Sequence, residues 1–257
     1  FVFGVFTAPL VMVVYTTTSQ LAAKDDWKAF GDTVRKSISY MLLLLMPVSI
    51  GAMCLSTPVV KILFERGNFD ARATQMTSTA LFYYSLGMTG AGLRIVLSKA
   101  FYSLQDTKTP MVNGFFAVIA NIILNLALIK PLGHGGLALA TSVSSTLGTI
   151  LLLKSLKARR NSFEWRHLSV LIIKSGISAV IMAVGVKTTY GLLSRALGSG
   201  LLREAISLFL CIALGALIYF MSIIILRVEE ADTFNLYLRS KVGRFLRKVP
   251  LKSMDAA

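Results

Sequence analysis

Acidic residues are scarce in this chain. The 257 residues include 12 Asp and Glu against 27 Lys and Arg, and charged residues make up only 15% of the total. A soluble globular domain normally carries roughly a quarter charged residues. Histidine and cysteine number two each. His134 and His167 are far apart, and neither Cys54 nor Cys211 has a metal-ligand spacing, so no metal cluster or disulfide framework is expected. The acids lie in loops and at segment ends. No nucleophile elbow, phosphate-binding loop or pair of catalytic carboxylates occurs, so the pattern is not that of an enzyme.

What is abundant is apolar length. Hydrophobic residues reach 55%, with a mean hydropathy of +0.70. Runs of about 20 apolar residues recur, the length a helix needs to cross a bilayer core. They fall roughly at 1–18, 37–58, 76–103, 111–130, 136–154, 168–190 and 203–226. The fold class expected is therefore all-α, a polytopic transmembrane bundle of about seven helices. Pro9 and Pro47 lie inside the first two segments, where neighbouring helices re-satisfy the freed carbonyl. Phe1 opens directly into an apolar run with neither Met nor a basic leader, which reads as a chain cut inside a membrane helix.

The net charge of +15 does not indicate nucleic acid, because the basic residues cluster in loops between apolar runs rather than in a stripe interleaved with aromatics. Their distribution alternates. One set of loops and the tail hold 18 Lys and Arg, from Lys24 to Lys36, at Lys99 and Lys108, from Lys154 to Arg166 and from Arg227 to Lys252. The opposite set holds 6: Lys61, Arg66, Arg72, Lys130, Arg195 and Arg203. The positive-inside rule places the first set in the cytoplasm, so the chain enters from outside and ends inside. The tail, 227–257, sets Phe234, Leu238, Val242 and Phe245 against Arg239, Lys241, Arg244 and Lys248, a pattern suited to an interfacial helix on anionic membrane lipids.

Polar residues inside apolar helices are the candidate functional groups, because they are costly there and face the bundle interior or a wet cavity. Arg94 is deep in the third segment. It is read either as a cavity residue attracting an anionic headgroup or as a side chain snorkelling to the inner interface. Lys99 is a second cavity candidate nearer the segment end. Lys174 and Lys187 flank the sixth segment as interface anchors. Asn121 and Asn125, four apart, share a helix face. The KPLGHGG connection is short, so the next helix is their antiparallel neighbour, bringing Thr141, Ser142, Ser144 and Ser145. Two readings stand: interhelical hydrogen bonds, or a small cation such as sodium held by Asn121, Asn125, Thr141 and the Leu137 carbonyl. No other cofactor is expected. Gly87, Gly90, Ala91 and Gly92 allow close helix packing. The less apolar stretch 59–75 is expected to hold a short helix ending near Gly67, with Asp70 capping the next one.

Three runs resemble the MviN/MurJ family of lipid II flippases: ILFERGNFD (62–70), AFYSLQDTKTP (100–110) and PLGHGGLALATS (131–142). LAAKDDWKAF (21–30) adds a fourth. The residues carrying the resemblance include Phe64, Arg66, Gly67, Phe69, Gln105, Asp106, Thr109, Pro110 and His134. It covers residues 1–155 most strongly.

The resemblance implies a fold of fourteen transmembrane helices, of which this chain matches a truncated eighth through the fourteenth. It divides the chain into 1–155 for lobe helices, 156–226 for the terminal pair and 227–257 for a basic cytoplasmic tail. The implied activity is flipping lipid II, undecaprenyl-pyrophosphate carrying a disaccharide-pentapeptide, across the cytoplasmic membrane by alternating access. The terminal pair is implied to form an apolar groove for the lipid tail. The implied partner is an N-terminal half of the same protein. The family's Ala-Asn/Asp-Arg run, with its cavity arginine, would precede Phe1. Export of another lipid-linked oligosaccharide or a drug, or a non-transporting scaffold role, are the alternatives.

Overall fold

The computed structural model describes residues 2–159, 165–197 and 200–228. Eight helices account for nearly all of them: α1 (Val2–Ala23), α2 (Trp27–Cys54), α3 (Ser56–Phe64), α4 (Ala71–Ser103), α5 (Lys108–Leu132), α6 (His134–Arg159), α7 (Trp165–Leu197) and α8 (Leu201–Ile225). Six of them, α2 and α4 to α8, are long and apolar enough to cross a membrane. The expected first segment, 1–18, is helical as α1, although α1 is not among those six. The expected tail helix lies outside the described residues.

α2 and α4 begin before their apolar windows because polar caps, not hydropathy, set their starts. Asp26 accepts a hydrogen bond from the Ala29 amide at 3.1 Å and starts α2 ten residues before the apolar run at 37. Asp70 does the same for Ala73 at 2.8 Å and starts α4, as expected. Each satisfies one of the free amides of a first turn.

The short outer helix corrects the sequence reading. It ends at Phe64, not near Gly67. Glu65 leaves the helical conformation, and its carboxylate accepts a hydrogen bond from Thr74 Oγ1 on α4 at 2.7 Å. Gly67, with φ +60°, supplies the left-handed turn that follows.

α4 is the hub. It packs against α6, α2, α1 and α3, while α5 leans mainly on α6 and the α7–α8 hairpin packs on α2. The buried core joins Val34, Ile38, Met41 and Leu45 of α2 to Val96, Leu97, Ala100 and Phe101 of α4. α5 keeps Met111, Phe115, Ile123 and Leu126 more than 60% exposed, which suits a lipid-facing helix.

Small residues bring α4 and α6 into contact. A Cβ on Gly87 would lie 2.3 Å from Ser142 Cα, and one on Gly90 would lie 2.9 Å from Thr146 Oγ1. The hydroxyls of α6 then reach α4 carbonyls: Ser142 donates to Tyr83 O at 2.6 Å, and Thr149 to Gly90 O at 2.6 Å. Such small-residue contacts hold helices together in lipid, where apolar side chains gain little by meeting one another.

Candidate functional site

The family-like runs build turns. In QDTKTP, Gln105 adopts φ +57° and reverses the chain after α4. Asp106, buried, then accepts from both the Thr109 amide at 3.0 Å and the Thr109 hydroxyl at 2.6 Å. Pro110 sits in the first turn of α5, where no intrahelical donor is required. In ILFERGNFD, the Phe64 and Phe69 rings pair at 6.0 Å, and Arg66 donates to Leu63 O at 2.9 Å. His134 is exposed at the start of α6, just after Gly133 with φ +55°. The next two positions pass so close to their neighbours that only glycine fits: a Cβ on Gly136 would lie 2.3 Å from Leu128 O.

The polar residues that remain line up along one seam between α5 and α6. Four-residue recurrence places Asn113, Ala117, Asn121 and Asn125 on the face of α5 toward α6. At the inner end, Asn113 Nδ2 donates to Ser155 Oγ at 3.0 Å. Ala117 follows, buried against Gly148. Next, Asn121 Nδ2 reaches Ser144 Oγ at 3.2 Å and Thr141 Oγ1 at 3.5 Å. Asn125 Nδ2 donates to Asn121 Oδ1 at 3.0 Å, and Thr141 donates to Leu137 O at 3.0 Å. From Asn113 to Asn125 the seam rises about 18 Å through the helix.

All four cation candidates therefore meet at the outer part of this seam. Asn121 and Thr141 also form an interhelical bond, so the packing reading is realised in the same atoms. One atom is left over: Asn125 Oδ1 is buried without a hydrogen-bond partner. An orphaned amide oxygen beside further oxygens matches the donor chemistry a hard cation takes. Thr141 also borders a cavity of about 140 Å³ between α4 and α6, lined further by Tyr84, Gly87, Met88, Ala91, Ser142 and Ser145.

The two basic candidates separate. Lys99 places its ammonium 5.3 Å from the Tyr15 ring of α1 and 5.6 Å from the Tyr102 ring. That is a cation–π clasp holding α1 to the inner end of α4. Arg94 instead extends toward the α5–α6 joint. A Cβ on Gly114 would lie 3.1 Å from its Nη2, and one on Gly148 would lie 3.5 Å from its Cδ and Nε. Sequence reasoning named Ser144 among the hydroxyls facing the Asn pair but missed Ser155 and these two glycines. The Asn recurrence was a usable signal for the seam, but its partners depend on helix register. Lys174, read as an anchor, donates to Arg227 O at 3.0 Å and ties α7 to the end of α8.

Long apolar helices packed through small residues, with a polar seam buried between two of them, define a polytopic helical membrane protein. The chain belongs to the MurJ family: the family model described as lipid II flippase MurJ matches residues 1–225. A probable lipid II flippase MurJ of Vibrio cholerae is 28% identical over 90% of this chain and 44% of its own length. The lipid II flippase MurJ of Thermosipho africanus is 30% identical over 60% of this chain and 32% of its own. A solved structure of lipid II flippase MurJ in an inward closed conformation superimposes with a TM-score of 0.67 at 25% identity, covering 86% of this chain and 45% of that one. The chain thus spans less than half the length of these relatives.

Proposed function

We propose that this chain forms the C-terminal lobe and terminal helix pair of a lipid II flippase, working with an N-terminal half to carry undecaprenyl-pyrophosphate-linked disaccharide-pentapeptide across the cytoplasmic membrane. The observation that carries the reading is the family match over residues 1–225, together with the fold shared with an inward closed flippase. Alternating access needs rigid bundles that rock about a site near the midplane. The α4–α6 interface, held by glycines and hydroxyl-to-carbonyl bonds, supports such a rigid unit. The test is complementation of a flippase-depleted strain by the full-length protein carrying this chain, read by lipid II exposure on the outer leaflet. Viable cells in which that exposure is unchanged by inactivating the protein would assign it another cargo.

In this reading the outer part of the seam seats a coupling cation, sodium. Asn121, Asn125, Thr141 and the Leu137 carbonyl would hold it, and the orphaned Asn125 Oδ1 supports the assignment. When bound, the cation supplies a positive charge between α5 and α6. The protein's own contribution is to present neutral oxygens from two helices, so that binding draws those helices together.

A further inference from the structure

Arg94 carries the inference. Its Cα lies on α4 nine residues before the helix ends at Ser103, about 13 Å from that end. The side chain passes Gly148 of α6 with its Cδ and Nε and brings Nη2 against Gly114 of α5. Gly114 is six residues from the start of α5, about 9 Å from it. The head therefore points toward the inner end, but through a joint of three helices rather than along the lipid-facing surface.

Arg94 is half-buried, and among the described residues no carboxylate or carbonyl accepts a hydrogen bond from its guanidinium. A charge at that depth without a counter-ion is expensive. Gly114 matters because it is the clearance for the head: a methyl there would lie 3.1 Å from Nη2, whereas one at Gly148 would only touch Cδ and Nε at 3.5 Å. Asn113, adjacent to Gly114, adds an amide whose Nδ2 bonds Ser155 Oγ and retains a second N–H. Lys108 and Lys154, both exposed, lie toward the inner ends of α5 and α6 and make this mouth electropositive.

We propose that the α4–α5–α6 joint is a phosphate seat, with Arg94 as its main ligand, Asn113 as a second donor, and Gly114 as the clearance for the guanidinium head. A planar guanidinium is suited to gripping two phosphate oxygens at once. The ligand is a phosphate group reaching the seat from the inner leaflet. The head of a bilayer phospholipid and a pyrophosphate-linked polyprenyl carrier share that chemistry. If the carrier binds, the inference deepens the flippase reading; binding of a phospholipid does not depend on it.

The experiment uses the full-length protein carrying this chain in nanodiscs. Retention of ligand is read by native mass spectrometry in three arms: phosphatidylcholine alone, phosphatidylcholine with phosphatidylglycerol, and phosphatidylcholine with undecaprenyl pyrophosphate. Inorganic pyrophosphate added to the first arm tests the free anion. Wild-type protein is expected to retain one anionic lipid saturably, and the arm in which it does so names the source.

Arg94→Gln should weaken that retention about tenfold or more, the loss expected for a hydrogen bond to a charged group. Gly114→Ala keeps the charge but crowds Nη2, and should also weaken it. In a phosphate-free maltoside detergent, Arg94→Gln should melt no lower than wild type, because it removes a charge that no protein group pairs. Equal retention by wild type and Arg94→Gln overturns the seat. So does a lower melting temperature of Arg94→Gln in the phosphate-free detergent, which would make Arg94 structural. Since none of these arms measures transport, a cargo other than lipid II would leave them unchanged, and failure of the seat would leave the flipping assay unchanged.

Discussion

Lys61 on α3 and Glu204 in the first turn of α8 form an ion pair at 2.7 Å across the outer end of the bundle. It joins residues 143 apart in sequence and is the polar tie between the short outer helix and the terminal hairpin. Glu204 is also well placed at a helix N-terminus, where a carboxylate is favoured.

The hydrogen bond that Lys61 donates to Glu204 holds its ammonium above the ordinary lysine range. A raised pKa means the folded state favours the charged form. The stabilisation is therefore fully present below the ordinary lysine value of about 10.4 and lost as pH rises through the raised one. Lys61 is 44% exposed, so solvent screening limits the pair to under about 1 kcal/mol. Lys61→Met should lower Tm slightly at pH 8, and the difference from wild type should vanish in strong alkali. A difference that grows with pH would contradict the assignment.

Orientation can be checked at exposed positions. In a background lacking Cys54 and Cys211, a cysteine replacing His134 should react with an impermeant maleimide applied to intact cells. One replacing Lys108 should react only after permeabilisation. The reverse pattern would invert the charge-derived topology.

Glycine substitutions should sort by what a Cβ would meet. Gly136→Ala places a methyl 2.3 Å from the Leu128 carbonyl oxygen, and Gly87→Ala places one 2.3 Å from Ser142 Cα. Both contacts are with backbone, which cannot rotate away, so each should cost about 1–3 kcal/mol. Gly31→Ala and Gly176→Ala meet nothing within 4 Å and should stabilise their helices by up to about 1 kcal/mol. Thermal unfolding in detergent of the four variants tests the ordering; equal shifts would mean that α4–α6 and α5–α6 are looser than described.

The cation proposal makes a separate demand. Sodium should raise the Tm of the full-length protein relative to a bulky organic cation at equal ionic strength. Asn121→Ala combined with Asn125→Ala should abolish that difference while leaving a cooperative transition. Equal Tm in both salts for the wild type would reduce the Asn pair to a link between α5 and α6.

The helical class and six of the seven expected apolar spans were legible in the sequence alone. Hydropathy over about 20 residues acts locally and needs no tertiary partner. Asp70 was readable as a cap for the same reason, since its bond to Ala73 spans a single turn. The end of α3 was not, because the Glu65 contact with Thr74 just beyond it lies on another element. Arg94 shows the limit most clearly. Its depth could be counted along the chain, which left a cavity residue and a snorkelling one equally open. Its surroundings depended on where α5 and α6 present Gly114 and Gly148. Only packing decides that, because the rotation of one helix against another follows from shape and hydrogen bonding along the whole contact, not from the residues of either helix alone.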